Sequence, residues 1–215
     1  MLADFIEAIS LHLAELPGES AHELMAPVNA GTRRNYRSRS VEPRKSAVLV
    51  LFYPSGDGIS TLLILRNKYP GVHSAQVSFP GGKVEEDDAS PEAAAAREAS
   101  EEVGITAADL HFIGRLSELY IPPSNFLVQP VLAAMHYEPS FRPDVSEVQQ
   151  IIPLPLRLLL DDTIVKSKPI NISILNREIE APYFDITGHV VWGATAMMLS
   201  ELKHVISQPG ISKLL

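Results

Sequence analysis

Glu98, Glu101 and Glu102 fall at i, i+3 and i+4, so on a helix their carboxylates project from one face. The sequence predicts such a helix over 91–103: Ser90 is a good N-cap, Pro91 suits the first helical position, Ala93 to Ala96 and Ala99 fill the interior, and Gly104 can close the end in a left-handed conformation. Carboxylates near a helix C-terminus repel one another and meet an unfavourable macrodipole, so a cation is expected between them. Oxygen donors at this spacing suit Mg²⁺ or Mn²⁺, hard ions that keep positions open for water and phosphate oxygens, which makes a metal-bridged diphosphate the natural guest. An acidic helix alone is usually a solvated surface. Here Arg97 directly precedes Glu98, and Gly81-Gly82 would let a backbone carbonyl approach an ion, with Gly82 the candidate. Glu101 and Glu102 are expected to stand exposed.

The run Arg97-Glu98-Ala99-Ser100-Glu101-Glu102-Val103-Gly104-Ile105 resembles the second half of the Nudix hydrolase box throughout. The first half departs: the glutamate expected eight residues before Arg97 is Ala89, and Gly82 sits one residue too far from Arg97. A one-residue insertion with Asp88 in place of the glutamate restores the match. Asp88 would then pair with Arg97 and orient the loop, with Asp87 or Glu86 as alternatives. Further segments resemble the coenzyme A pyrophosphatase branch of that family: Leu62 to Arg66, His73 to Gly82, Tyr120 to Pro130, and Val191-Trp192-Gly193-Ala194-Thr195-Ala196. Two positions differ from the branch signature, Gly71 where it has Arg and Ala75 where it has Gly.

The resemblance implies an α/β fold, a Nudix-type α/β/α sandwich with a mixed sheet, here with an N-terminal helical extension. It implies a metal-dependent hydrolase of coenzyme A or acyl-coenzyme A with Mg²⁺ or Mn²⁺ held by Glu98, Glu101, Glu102 and Gly82. Glu98 would be ligand and base, Glu147 the alternative base, and Arg97 an orienting residue. Arg66, His73, Phe79 and Tyr120 are the implied substrate contacts. ADP-ribose or a dinucleoside polyphosphate is the rival substrate class, and a Nudix-fold binding module without catalysis the rival function; three mutually repelling carboxylates have no use in a pure binder.

Composition sets wider bounds. With 215 residues and 46% hydrophobic content the chain can bury one substantial core, divided as an amphipathic helix and basic linker (1–44), a hydrolase domain (45–206) and a tail (207–215). A net charge of -8 argues against a general nucleic-acid binder, so an anionic small-molecule substrate must rely on local cations. One cluster of these occurs before the first strand: Arg33, Arg34, Arg37, Arg39, Arg44 and Lys45, either a solvated linker or a contact for substrate phosphates. The absence of cysteine removes thiol and disulfide chemistry and fits a cytoplasmic setting. No apolar run approaches the roughly 20 residues that span a bilayer.

Leu2, Phe5, Ile6, Ile9, Leu13 and Leu16 follow helical spacing, so the N-terminus is expected to pack on the body or on a second subunit as a homodimer, and its acidic polar face disfavours a membrane. Strands are predicted at 47–53 and 60–66, joined by a turn, and at 76–79, 110–119, 126–137 and 178–184. Helices are predicted at 155–160 and 190–206, the latter burying Trp192.

Overall fold

The computed structural model describes residues 1–27, 41–56, 58–67, 75–172 and 177–215. Strand β1 (Arg44–Ser55) is apolar on both faces, a pattern that requires cover on both sides. Ala47, Leu49, Leu51 and Tyr53 enter one hydrophobic cluster, and Val50 and Phe52 enter another. β1 runs parallel to β7 (Phe126–Ala134) and antiparallel to β4 (Gly81–Lys83) at one end and to β2 (Gly58–Arg66) at the other. β2 also pairs with β3 (Val77–Ser78) and β8 (Val148–Pro155), and β7 with β5 (His111–Arg115) and β6 (Leu119–Ile121), which completes an eight-stranded mixed sheet. A second, three-stranded sheet holds β9 (Val165–Ile172), β10 (Arg177–Ile186) and β11 (His189–Trp192).

Helix α3 (Pro91–Val103) covers one face of the main sheet, and its Ala94, Ala95, Ala96 and Ala99 allow close approach. Ser90 accepts a hydrogen bond from the Ala93 N–H at 3.3 Å, and Gly104 ends the helix at φ +70°, as the sequence predicts. Helices α1 (Leu2–His12) and α5 (Gly193–Ile206) pack on the opposite face. The architecture is therefore an α/β/α sandwich with a mixed sheet. The N-terminal extension rests on the body of the protein, where Phe5 meets Phe52 edge-on at 5.1 Å.

Some elements depart from their predicted form. The expected strand over 110–119 is split into β5 and β6, because its connection turns at buried Leu116 and the Ser117 N–H is drawn to Glu201. The helix expected from 190 begins at Gly193, whose φ of +63° breaks the chain direction. Trp192 consequently ends a strand half-buried, outside the helix core to which the sequence assigns it. β8 was masked in the sequence by Pro153 and Pro155; it pairs with β2 alone, and an edge tolerates proline. The short helices α2 (Glu19–Leu24), α4 (Leu156–Leu159) and α6 (Pro209–Ser212) complete the fold.

The N-terminal extension is anchored by a buried polar clasp. Glu201 on α5 is fully buried, and its carboxylate accepts the N–H groups of Gly18 at 3.0 Å and Ser117 at 3.1 Å while facing His22 Nε2 at 3.2 Å. Burial alone would raise its pKa, but the bonds from His22 and Ser117 outweigh burial and hold the group below its ordinary value. Stability from a lowered carboxyl pKa is present above the unfolded value and is lost as pH falls through the folded one. Glu201→Gln turns an amide NH₂ toward backbone donors, so urea unfolding should show a loss of about 3 kcal/mol and a flatter acid limb of stability.

Candidate active site

The box helix meets the Gly81-Gly82 backbone closely. A Cβ at Gly82 would lie 2.4 Å from the Glu98 carboxylate, so a side chain there would push that carboxylate aside. Gly81 has φ +150° and would press a Cβ to 2.4 Å from the Ala47 carbonyl, which fixes it as glycine.

Arg97 organises the entrance side. It donates to both oxygens of Asp88, Nε to Oδ1 at 3.1 Å and Nη2 to Oδ2 at 2.9 Å, and Nη2 also donates to the Lys83 carbonyl at 3.1 Å. Its Nη1 reaches Glu98 at 2.9 Å and Glu101 at 3.3 Å. Asp88 is thus the acidic partner among the alternatives that the sequence left open. The guanidinium holds the Asp88 carboxyl below its usual range, helped by the Glu85 N–H. Glu98 is half-buried, and burial pushes its pKa up against the opposing pull of Arg97.

Glu102 contradicts the expectation of exposure. Its side chain is only 1% exposed, since i+4 from Glu98 turns it under the helix toward β4 and the end of β2. Arg66 Nη1 donates to its Oε1 at 2.6 Å and the Gly81 N–H to its Oε2 at 2.8 Å. Burial nonetheless pushes its pKa up to about 7. Glu101, 62% exposed, points outward.

Glu147 is brought in from far along the chain. The Arg142 N–H donates to the Val103 carbonyl at 2.8 Å and the Asp144 N–H to the Glu102 carbonyl at 3.0 Å, while Asn67 at the end of β2 donates to the carbonyls of Val145 and Glu147, each at 2.8 Å. The loop is therefore bolted to both the box helix and β2. Glu147 Oε2 stands 3.8 Å from Arg66 Nη2 with the side chain 55% exposed.

Other expected contacts lie elsewhere. Phe79 is a correction: its ring is buried in the hydrophobic cluster beneath the sheet and packs the fold. Tyr120 is buried and donates its hydroxyl to Asn125 Oδ1 at 2.9 Å, which steadies the adjoining turn. His73, Gly71, Arg33, Arg34, Arg37 and Arg39 lie outside the described residues. Arg44 is committed to structure, lying 4.1 Å over the Phe126 ring and donating to the Ser124 carbonyl. The wiring of Arg66 and Gly81 to Glu102 was the part that sequence reasoning missed; no spacing rule announces it.

The donors around Gly82 are all hard oxygens, as Mg²⁺ or Mn²⁺ requires, and the Gly82–Glu98 contact places a backbone segment beside a carboxylate. Among the described residues no three acidic or histidine side chains converge as a metal cage; Arg97 bridges Glu98 and Glu101, and Arg66 occupies Glu102. The donor chemistry fits a divalent ion, which takes hard carboxylate and carbonyl oxygens.

Residues 43–155 match the family model described as NUDIX domain. The chain belongs to the Nudix family. It is 29% identical over 196 residues to a protein named uncharacterized Nudix hydrolase NudL in Yersinia pestis and Yersinia pseudotuberculosis, covering 91% of this chain and 96% of the relative. The fold is similar to a Nudix hydrolase of M. smegmatis, RenU, with a TM-score of 0.55, 15% identity and coverage of 86% and 94% of the two chains. It is also similar to a MutT protein of Methanosarcina mazei Go1, with a TM-score of 0.51, 17% identity and coverage of 79% and 99%. As a Nudix hydrolase, the protein acts on a small molecule containing a diphosphate, and no helix among the described residues is long and apolar enough to cross a membrane.

Two outcomes follow from the geometry. Gly82→Ala should lower kcat by about 100-fold through displacement of Glu98, with an unchanged circular dichroism spectrum, whereas Gly58→Ala, which meets nothing within 4 Å, should be silent in the same assay. Were Glu102 to hold a divalent cation, its proton would have to leave first, and Mn²⁺ affinity measured by calorimetry should then strengthen as pH rises toward about 7 and level off above it.

Proposed function

We propose that this Nudix hydrolase cleaves the diphosphate of coenzyme A or acyl-coenzyme A, giving 4'-phosphopantetheine or its acylated form and adenosine 3',5'-bisphosphate. The observation that carries the substrate assignment is the connection of segments outside the box to the box itself. The end of Leu62 to Arg66 grips Glu102 through Arg66. Within the described part of the His73 to Gly82 stretch, residues 75–82, the Gln76 carbonyl accepts the Arg66 N–H at 3.0 Å, and the Gly81 N–H donates to Glu102. The late segment reaches the same stretch, since Thr195 donates to the Val77 carbonyl at 2.9 Å. Ala75 has φ +54°, a conformation that suits the glycine of the branch signature, and the chain keeps that backbone with alanine.

A water molecule attacks one phosphorus and the bond to the bridging oxygen breaks. A divalent ion bound by Glu98, Glu101, Glu102 and the Gly82 carbonyl would neutralise phosphate oxygens and acidify the water. Glu98 is the better base of the two candidates: burial raises its affinity for a proton and it adjoins the Gly82 backbone, whereas Glu147 is 55% exposed and turned toward Arg66. Arg97 holds Glu98 and Glu101 in register and, by its bonds to Asp88, ties them to the loop. Arg66 lies between Glu102 and Glu147, within reach of a diphosphate oxygen for bidentate contact.

A panel of coenzyme A, dephospho-coenzyme A and ADP-ribose, with products read by mass spectrometry, tests the assignment. Coenzyme A should show the highest kcat/KM and ADP-ribose the lowest, because cations placed for a 3'-phosphate are left unpaired without it. Equal efficiency on the first two removes 3'-phosphate recognition, and a preference for ADP-ribose transfers the enzyme to the rival substrate class.

A further inference from the structure

We infer that Arg66 competes with the metal ion for Glu102, and that transfer of Arg66 from Glu102 to the substrate diphosphate makes metal and substrate bind cooperatively. The inference rests on the diphosphatase assignment and adds to it a linkage between two ligands of one site.

The contact geometry makes the competition direct. Glu102 is shut away from solvent, so its oxygens have few approaches, and Arg66 Nη1 at 2.6 Å and the Gly81 N–H at 2.8 Å take one each. A divalent ion bonded to Oε1 at its usual 2.0 to about 2.4 Å on the same approach leaves no room for Nη1, and the two cations repel. The Gly81 N–H cannot withdraw, because Gly81 is fixed in the β1–β4 ladder. The guanidinium can. It sits on a long flexible side chain 21% exposed, while its backbone is held by the bond to Gln76.

Arginine cannot shed its charge, so a displaced guanidinium must find another anion. Glu147 Oε2, 3.8 Å from Nη2, marks the direction open to it, toward the exposed side of the site. Arg97 cannot serve in its place, being spent on Asp88, Glu98, Glu101 and the Lys83 carbonyl. A diphosphate that captures Arg66 leaves Glu102 to the metal. By thermodynamic reciprocity, metal at Glu102 strengthens diphosphate binding by the same factor.

The test is Mn²⁺ binding by calorimetry on the full chain and on Arg66→Met, each with and without saturating methylene-bridged ADP, whose diphosphate cannot be cleaved, at several pH values from 7 to 9 and in two buffers of different ionisation heat, so that any proton Glu102 releases on binding Mn²⁺ is counted and separated from the loss of the competitor. Loss of the competitor should tighten Mn²⁺ binding to the ligand-free variant about fivefold or more, and the analogue should then enhance Mn²⁺ binding by a smaller factor than in the native protein. Arg66→Gln, also neutral, should behave alike and serves if the methionine variant does not fold. Unchanged or weaker Mn²⁺ affinity in the folded variant overturns the inference. A native protein that hydrolyses no diphosphate overturns the underlying assignment instead, and the Mn²⁺ titration without analogue is independent of that result.

Discussion

Mutual repulsion among carboxylates at one end of α3 is the constraint on which the site depends. Glu98, Glu101 and Glu102 are carried on one helix, Asp88 on the loop before it, and Glu147 on a loop bolted to its end. Left alone, these charges would disfavour the folded state. Two arginines of different character offset them. Arg97 binds Asp88, Glu98 and Glu101 at the surface of the loop, and Arg66 enters beneath the helix to meet Glu102. The first acts as a brace with every donor direction used; the second retains a route outward.

The sandwich supplies what that arrangement needs. Alanines on α3 let the helix lie close against β1, and the same closeness carries Glu98 onto Gly82 and Glu102 onto the Gly81 N–H. Larger residues on that helix face would lift the carboxylates away from the backbone groups they meet. On the other face of the sheet, α5 and the N-terminal helices form the thicker layer, and the Glu201 clasp fastens the extension to α5 and to the β5–β6 connection. The site is therefore supported by a sheet buried on both sides, which limits how far β1, β2 and β4 can shift when charge enters.

Much of this could be read from the chain. The i, i+3, i+4 glutamates, the N-cap Ser90, Pro91 and the terminal Gly104 are local features whose physics depends on neighbours within one turn, so the helix and its acidic face were determined by the sequence. The hairpin of β1 and β2, the sandwich class and the amphipathic N-terminal helix follow from hydrophobic periodicity in the same way. Tertiary structure alone decided which of Glu86, Asp87 and Asp88 meets Arg97, because three adjacent acids in a loop differ only in direction. It also decided the burial of Glu102, the retreat of Phe79 into the core and the approach of Glu147 to Arg66, since each depends on residues far apart in the chain being packed together. Periodicity tells which face of an element a side chain occupies; only packing tells what stands opposite it, and charge chemistry is set by what stands opposite.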